Sequence, residues 1–159
     1  MKDLSASPIQ GSPERGLQKV TLYADGCSKG NPGEGGAGVV VKDDLERTVS
    51  QNKRYLGLVT NNFAEYQALI LGLQEAKQLG AQEVEICLDS ELVVNQINGV
   101  YRVRDSTLKT LEGEVRRLLG HFARWVIRHI PREENREADR LAREAVRDKG
   151  DQVVAGPRR

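Results

Sequence analysis

Lys19 to Ala24 (KVTLYA) alternates β-branched and polar residues and stops at Asp25-Gly26, which predicts a strand ending in a turn. Beyond a Gly/Pro-rich loop reaching Gly36, the runs Ala37 to Lys42 and Glu46 to Leu56 flank Asp43-Asp44-Leu45, a short connection suited to an antiparallel hairpin. From Asn61 to Leu79 the period changes: Tyr66, Leu69, Ile70, Leu73 and Ala76 recur at helical spacing, and Gly80 stands where a C-cap glycine belongs. Glu83 to Leu88 reads as a short strand closing on Asp89-Ser90, followed by a short helix through Ile97 that stops at Asn98-Gly99. Ser106 to Leu119 has the stripe of an amphipathic helix, and Arg124 to Ile130 that of a fifth strand. Glu134 to Val146 predicts a last helix with Ala138, Leu141, Ala142 and Ala145 on its buried side.

The order is therefore βββαβααβα. An opening hairpin favours antiparallel pairing and a strand–helix–strand crossover favours parallel pairing, so the expected fold class is α/β: a five-stranded mixed sheet, its first three strands antiparallel, with helices on both faces. In such sheets sites form beyond the carboxyl ends of the parallel strands. Asp25 and Asp89 are expected there.

With 159 residues, 38% of them hydrophobic, the chain suits one domain with a single core. Residues 1–17 are rich in Ser, Pro and Gly and read as a disordered leader; the folded domain is placed at 18–148, with a flexible tail at 149–159. Lys+Arg 24 against Asp+Glu 23 leaves a net charge of +1, so any polyanion must be held by a local site rather than a global basic field. Cys27 and Cys87 are too few for a disulfide framework and lack zinc-site spacing. Together with the absence of a spanning apolar run or signal-peptide core, this points to a soluble, cytoplasmic protein with no membrane role.

Four acids remain to be weighed. Asp25 before Gly26 is, taken alone, as readily an ordinary turn pair. Glu65 could close a capping box on Asn62, but it shares a stripe with Ala68, Leu69 and Gly72 that faces the sheet. Asp89 has the alternative role of a helix cap, and Asp139 that of complementing the last helix dipole. As a set they say more: two acids at parallel strand ends, one from a helix crossing the sheet and one from the last helix can converge. Such a knot repels itself unless divalent cations compensate, and Mg²⁺ takes a few carboxylates, waters and phosphate oxygens. The implied chemistry is phosphodiester cleavage by two Mg²⁺ ions, which needs no protein nucleophile.

The segments YADGCSKGNPGEGGAGVVV, TNNFAEYQALILGL, LDSELVVNQI and HIPREENREADRLA resemble, in order, the four signature blocks of type 1 ribonuclease H, from about Val20 to Ala145. The short prokaryotic variant, without a basic protrusion, is the nearest likeness. The resemblance implies a ribonuclease H-like fold and an endonuclease cutting the RNA strand of RNA/DNA hybrids, leaving 5′-phosphate and 3′-hydroxyl ends. It also implies two Mg²⁺ ions, with Mn²⁺ as a substitute, on Asp25, Glu65, Asp89 and Asp139. Asn31, Asn61 and Asn62 fall on positions contacting the hybrid in the minor groove, Thr60 on a position holding a DNA phosphate, and Gly26 and Ser28 on the substrate-binding loop. Such short groups read backbone and 2′-hydroxyls rather than bases. His129, ten residues before Asp139, matches a histidine assisting proton transfer or product release in some members, and is equally a structural strand-end histidine.

Between Ile97 and Trp125 the chain lacks the basic helix of some relatives. Arg102, Arg104, Arg116 and Arg117 look like a solvated face, which leaves Lys29, Lys53 and Arg54 as alternative phosphate contacts. The expected partner is RNA/DNA hybrid, with double-stranded RNA open, and the expected state is a monomer. The rival reading is a non-catalytic or double-stranded-RNA-directed binding module of the same fold.

Overall fold

A computed structural model describes residues 18–149. The expected leader and tail lie outside the described residues, apart from Lys149, whose ammonium pairs with Glu34. The elements are β1 (Lys19–Gly30), β2 (Gly33–Lys42), β3 (Thr48–Val59), α1 (Asn61–Gln78), β4 (Glu83–Leu88), α2 (Glu91–Ile97), α3 (Ser106–Leu119), β5 (Arg124–His129) and α4 (Arg136–Arg147), with a 3₁₀ turn at Arg132–Glu134. The predicted order holds.

The strands form one sheet in the order β3-β2-β1-β4-β5. β1 and β3 each pair antiparallel with β2, while β4 runs parallel to both β1 and β5. On one face Leu22, Val39, Val41, Ile86 and Ile127 meet Tyr66, Leu69 and Leu73 of α1 and the inner sides of α2 and α3 in a single apolar cluster. Tyr66 is fully buried, and its hydroxyl donates to Gln96 Oε1 at 2.7 Å, so the polar end of this large side chain is satisfied inside the core. On the other face α4 packs against β1, β2 and β3.

The expected turn at Asp25-Gly26 is not there. β1 runs on to Gly30, still paired with β2, and only its parallel ladder with β4 stops, at Ala24 opposite Leu88. Gly26 is a strand residue opposite Ala37, and a Cβ on it would lie 2.2 Å from the Ala64 carbonyl of α1. The expected loop up to Gly36 is likewise mostly strand. Cβ atoms on Gly36 and Gly38 would lie 2.2 Å from the carbonyl oxygens of Ala142 and Ala138 in α4. These glycines allow helices to touch strand backbone, a use of the residue that a local sequence pattern does not distinguish from a turn. Among the described residues no helix is long and apolar enough to cross a membrane.

Candidate active site

Asp25 and Asp89 are the first residues beyond the last β1–β4 pair, so both carboxylates stand where the parallel ladder opens. Glu65 reaches the same gap from α1 and accepts the Gly26 N–H at 3.3 Å. It is free to do so because Thr60, not Asn62, caps α1: Thr60 Oγ1 accepts the Phe63 N–H at 3.2 Å. Ser90 likewise caps α2 through the Val93 N–H at 3.3 Å, which releases Asp89 from capping. One carboxylate oxygen from each of Asp25, Glu65 and Asp89 lies within 4.8 Å of the other two. Asp139, from the first turn of α4, lines the same cleft of about 560 Å³ but stands outside this trio, with its carboxylate 3.2 Å from Arg143 Nε.

Two like charges about 5 Å apart repel by roughly 3 kcal/mol at an effective dielectric of about 20. Asp25 is only 5% exposed, which adds a desolvation penalty to the repulsion. Burial first, then the charges of Glu65, Asp89 and Asp139, pushes the Asp25 carboxyl well above the ordinary carboxylate range. Glu65 moves the same way, chiefly through burial and then Asp89, opposed by the Gly26 N–H and the Arg132 guanidinium. A hard divalent cation fits this set: it would remove the repulsion and accept an all-oxygen shell.

Of the other predicted residues, Gly26, Ser28, Asn61 and Lys29 line the carboxylate cleft. Ser28 is engaged internally, its hydroxyl lying 2.9 Å from the Val59 carbonyl oxygen. Asn31, Thr60 and Asn62 line an adjoining hollow with Phe63, Leu58 and Leu108, and Asn31 Oδ1 accepts the Asn61 N–H at 3.0 Å, linking the two. His129 ends β5 opposite Leu88, one step from Asp89, but is exposed and outside the cleft lining. Lys53 is a correction: it turns to α4 and pairs with Glu144 at 3.2 Å and Asp148 at 3.3 Å. Arg54 lines a separate hollow between β3, α1 and α3. Sequence reasoning missed Arg132 and Arg143, both in the cleft wall. The four-residue spacing from Asp139 to Arg143 was the available signal for one; nothing local marked the other.

Residues 23–145 match the family described as Reverse transcriptase-like. Ribonuclease HI of Halobacterium salinarum is 40% identical over 136 residues, 86% of this chain and 68% of that protein. The chain belongs to the ribonuclease H family. Among solved structures, the ribonuclease H1 of the same archaeon superimposes with a TM-score of 0.80 at 39% identity, covering 82% of this chain and 98% of that one. A ribonuclease H1 from a compost metagenome, solved with an RNA/DNA hybrid, gives a TM-score of 0.78 at 39% identity, with the same coverage of 82% and 98%. A bifunctional protein of Mycobacterium tuberculosis is 42% identical over 129 residues, 80% of this chain; the chain spans only 35% of that relative's length. The five-stranded mixed sheet is the ribonuclease H fold.

Proposed function

We propose that this ribonuclease H family chain is an endonuclease that hydrolyses the RNA strand of RNA/DNA hybrids and leaves 5′-phosphate and 3′-hydroxyl ends. The observation carrying this reading is the convergence of Asp25, Glu65 and Asp89 to within 4.8 Å, with Asp139 on the wall of the same cleft. These four would hold two Mg²⁺ ions, with Mn²⁺ as a substitute. When bound, the ions supply an activated water and neutralise charge on the phosphate and its leaving oxygen. The relative solved with a hybrid supports the choice of substrate.

The chain's own groups do the rest. Asp25, buried on β1, is the fixed point of the site, and Glu65 is steered to it by the Gly26 N–H. Asn61, Asn62, Asn31 and Thr60, gathered at the start of α1 and the β1–β2 turn, hold the hybrid by backbone and 2′-hydroxyl contacts, so cleavage is nearly independent of sequence. His129 is assigned an auxiliary part in proton transfer or product release. The protein works as a monomer in a reducing cytoplasm, a reading that its free thiols Cys27 and Cys87 support.

A labelled hybrid, an RNA duplex and a DNA duplex, each incubated with Mg²⁺ or Mn²⁺, test this directly. Wild type is expected to release 5′-phosphate RNA fragments from the hybrid, and Asp89→Asn to lose activity by about three orders of magnitude or more. Equal cleavage by both proteins, or none by either, overturns the nuclease reading. Cleavage of the RNA duplex alone overturns the substrate.

A further inference from the structure

The four acids come from two parts of the fold, on opposite faces of the sheet. Asp25, Glu65 and Asp89 are carried by β1, α1 and the end of β4, whose large side chains lock into one cluster. Asp139 is carried by α4, which approaches the sheet over Gly36 and Gly38 with its own backbone, its buried side being Ala138, Ala142 and Ala145 with Leu141 and Val146 beside them. Leu141 and Val146 are its large buried side chains, so the contact fixes how close the helix comes and offers fewer knobs against sliding than the α1 face does. The ion pairs Lys42–Glu137 (3.8 Å) and Lys53–Glu144 (3.2 Å) join long, partly exposed side chains and restrain the helix weakly.

One residue grips both parts. Asn135, only 1% exposed, immediately precedes α4; its Nδ2 donates to the carbonyl oxygen of Ala24 at 2.9 Å, and Ala24 is the neighbour of Asp25. Its own carbonyl accepts the Asp139 N–H at 3.0 Å. The chain from Asp25 through the Ala24 carbonyl and Asn135 to Asp139 is thus made of two hydrogen bonds and short stretches of backbone. Asn135 Oδ1, in contrast, is buried with no partner among the described residues. An orphaned buried amide oxygen costs about 1–3 kcal/mol, so fold stability alone does not account for an amide here.

We infer that Asn135 is a positioning residue: it sets the register of α4 against β1, so that Asp139 stands over Asp25 and completes the metal site. Asn135 itself is not among the residues that line the carboxylate cleft. This role rests on the metal-dependent reading above, and a misplacement of about 1 Å at such a site is enough to cost roughly two orders of magnitude in rate.

The test compares calorimetric Mn²⁺ titrations of the full chain as wild type, Asn135→Leu, Asn135→Ala and Asn98→Ala. Leu has nearly the shape of Asn, removes the donor and removes the orphaned oxygen with it; Ala is the second variant should Leu not fold. Asn98 makes the same kind of bond elsewhere, its Nδ2 donating to the Ile127 carbonyl at 3.2 Å, and so controls for loss of one amide tie. Asn135 variants that melt cooperatively are expected to bind Mn²⁺ about tenfold or more weakly and to lose kcat on hybrid with KM little changed, while Asn98→Ala binds as wild type does. Affinity within twofold of wild type in the Asn135 variants, or an equal loss in Asn98→Ala, overturns the inference. No Mn²⁺ uptake by wild type overturns the metal reading and this inference with it, an outcome distinct from a defect missing only in the variants.

Discussion

The two faces of the sheet are built by different means. Under α1, Leu22, Leu69, Leu73, Tyr66 and Ile86 fill the space between helix and strands with large side chains, all fully buried. Under α4 the packing is closer: Gly36 and Gly38 bring strand and helix backbones together with only Leu141 and Val146 as large side chains from the helix, and an amide tie at Asn135 and a few ion pairs hold the register. The first arrangement stabilises by area removed from water, the second fixes distances. The acid site lies where the two meet, with Glu65 coming from one face and Asp139 from the other.

Single substitutions can set one face against the other. Leu73→Ala removes a fully buried side chain from the α1 face and is expected to cost about 2–5 kcal/mol in urea unfolding, with cleavage by the folded fraction unchanged. Gly38→Ala adds one methyl whose Cβ would lie 2.2 Å from the Ala138 carbonyl oxygen, so α4 must lift. The expected cost is smaller, about 1–3 kcal/mol, but Mn²⁺ affinity and cleavage fall with it because Asp139 moves. If Leu73→Ala impaired metal binding as much as Gly38→Ala did at equal stability, the division of labour between the faces would be wrong.

The face under α1 was the more legible one. A stripe at helical spacing and strands at period two announce large apolar side chains, and α3 came out with its observed bounds, Ser106–Leu119. On the other face the buried side of α4 is legible too, at Ala138, Leu141, Ala142 and Ala145, but the glycines it rests on are not, because their rule is non-local. Gly36 is glycine on account of Ala142, more than a hundred residues away, and a window around Gly36 sees only a turn-rich string. The same blindness ended β1 too early at Asp25. It also started α4 at Glu134, whereas Arg132–Glu134 forms a 3₁₀ turn and the helix begins at Arg136, after Asn135. The four acids are each ambiguous alone; the structure brings Asp25, Glu65 and Asp89 within 4.8 Å of one another and puts Asp139 on the wall of the same cleft. What separated Glu65 and Asp89 from capping roles was the choice of Thr60 and Ser90 as caps, a matter of a few ångströms that composition does not decide.

The seam between the faces should betray itself through pH. Asp25 is raised by burial and by the charges of Glu65 and Asp89, so the folded protein holds a proton that the unfolded chain has already released. For such a group, stability is complete below about pH 4, the unfolded value, and is lost as pH climbs through the raised folded one. Asp43, Glu144 and Asp148 act in the opposite sense at acid pH, held low chiefly by the Arg47 backbone N–H, by Arg140 and by Arg147 respectively. The quantity to plot is therefore the difference between wild type and Asp25→Asn, melted in chelator across the pH range. Asp25→Asn is expected to gain on the order of 1 kcal/mol over wild type at pH 7, with the gap closing toward pH 4. Saturating Mg²⁺ should raise the melting temperature of wild type more than that of the variant, since the ion relieves a repulsion that the amide has already removed. Parallel curves for the two proteins would mean that Asp25 is not strained by its neighbours, and the seam would then be no less comfortable than the core beside it.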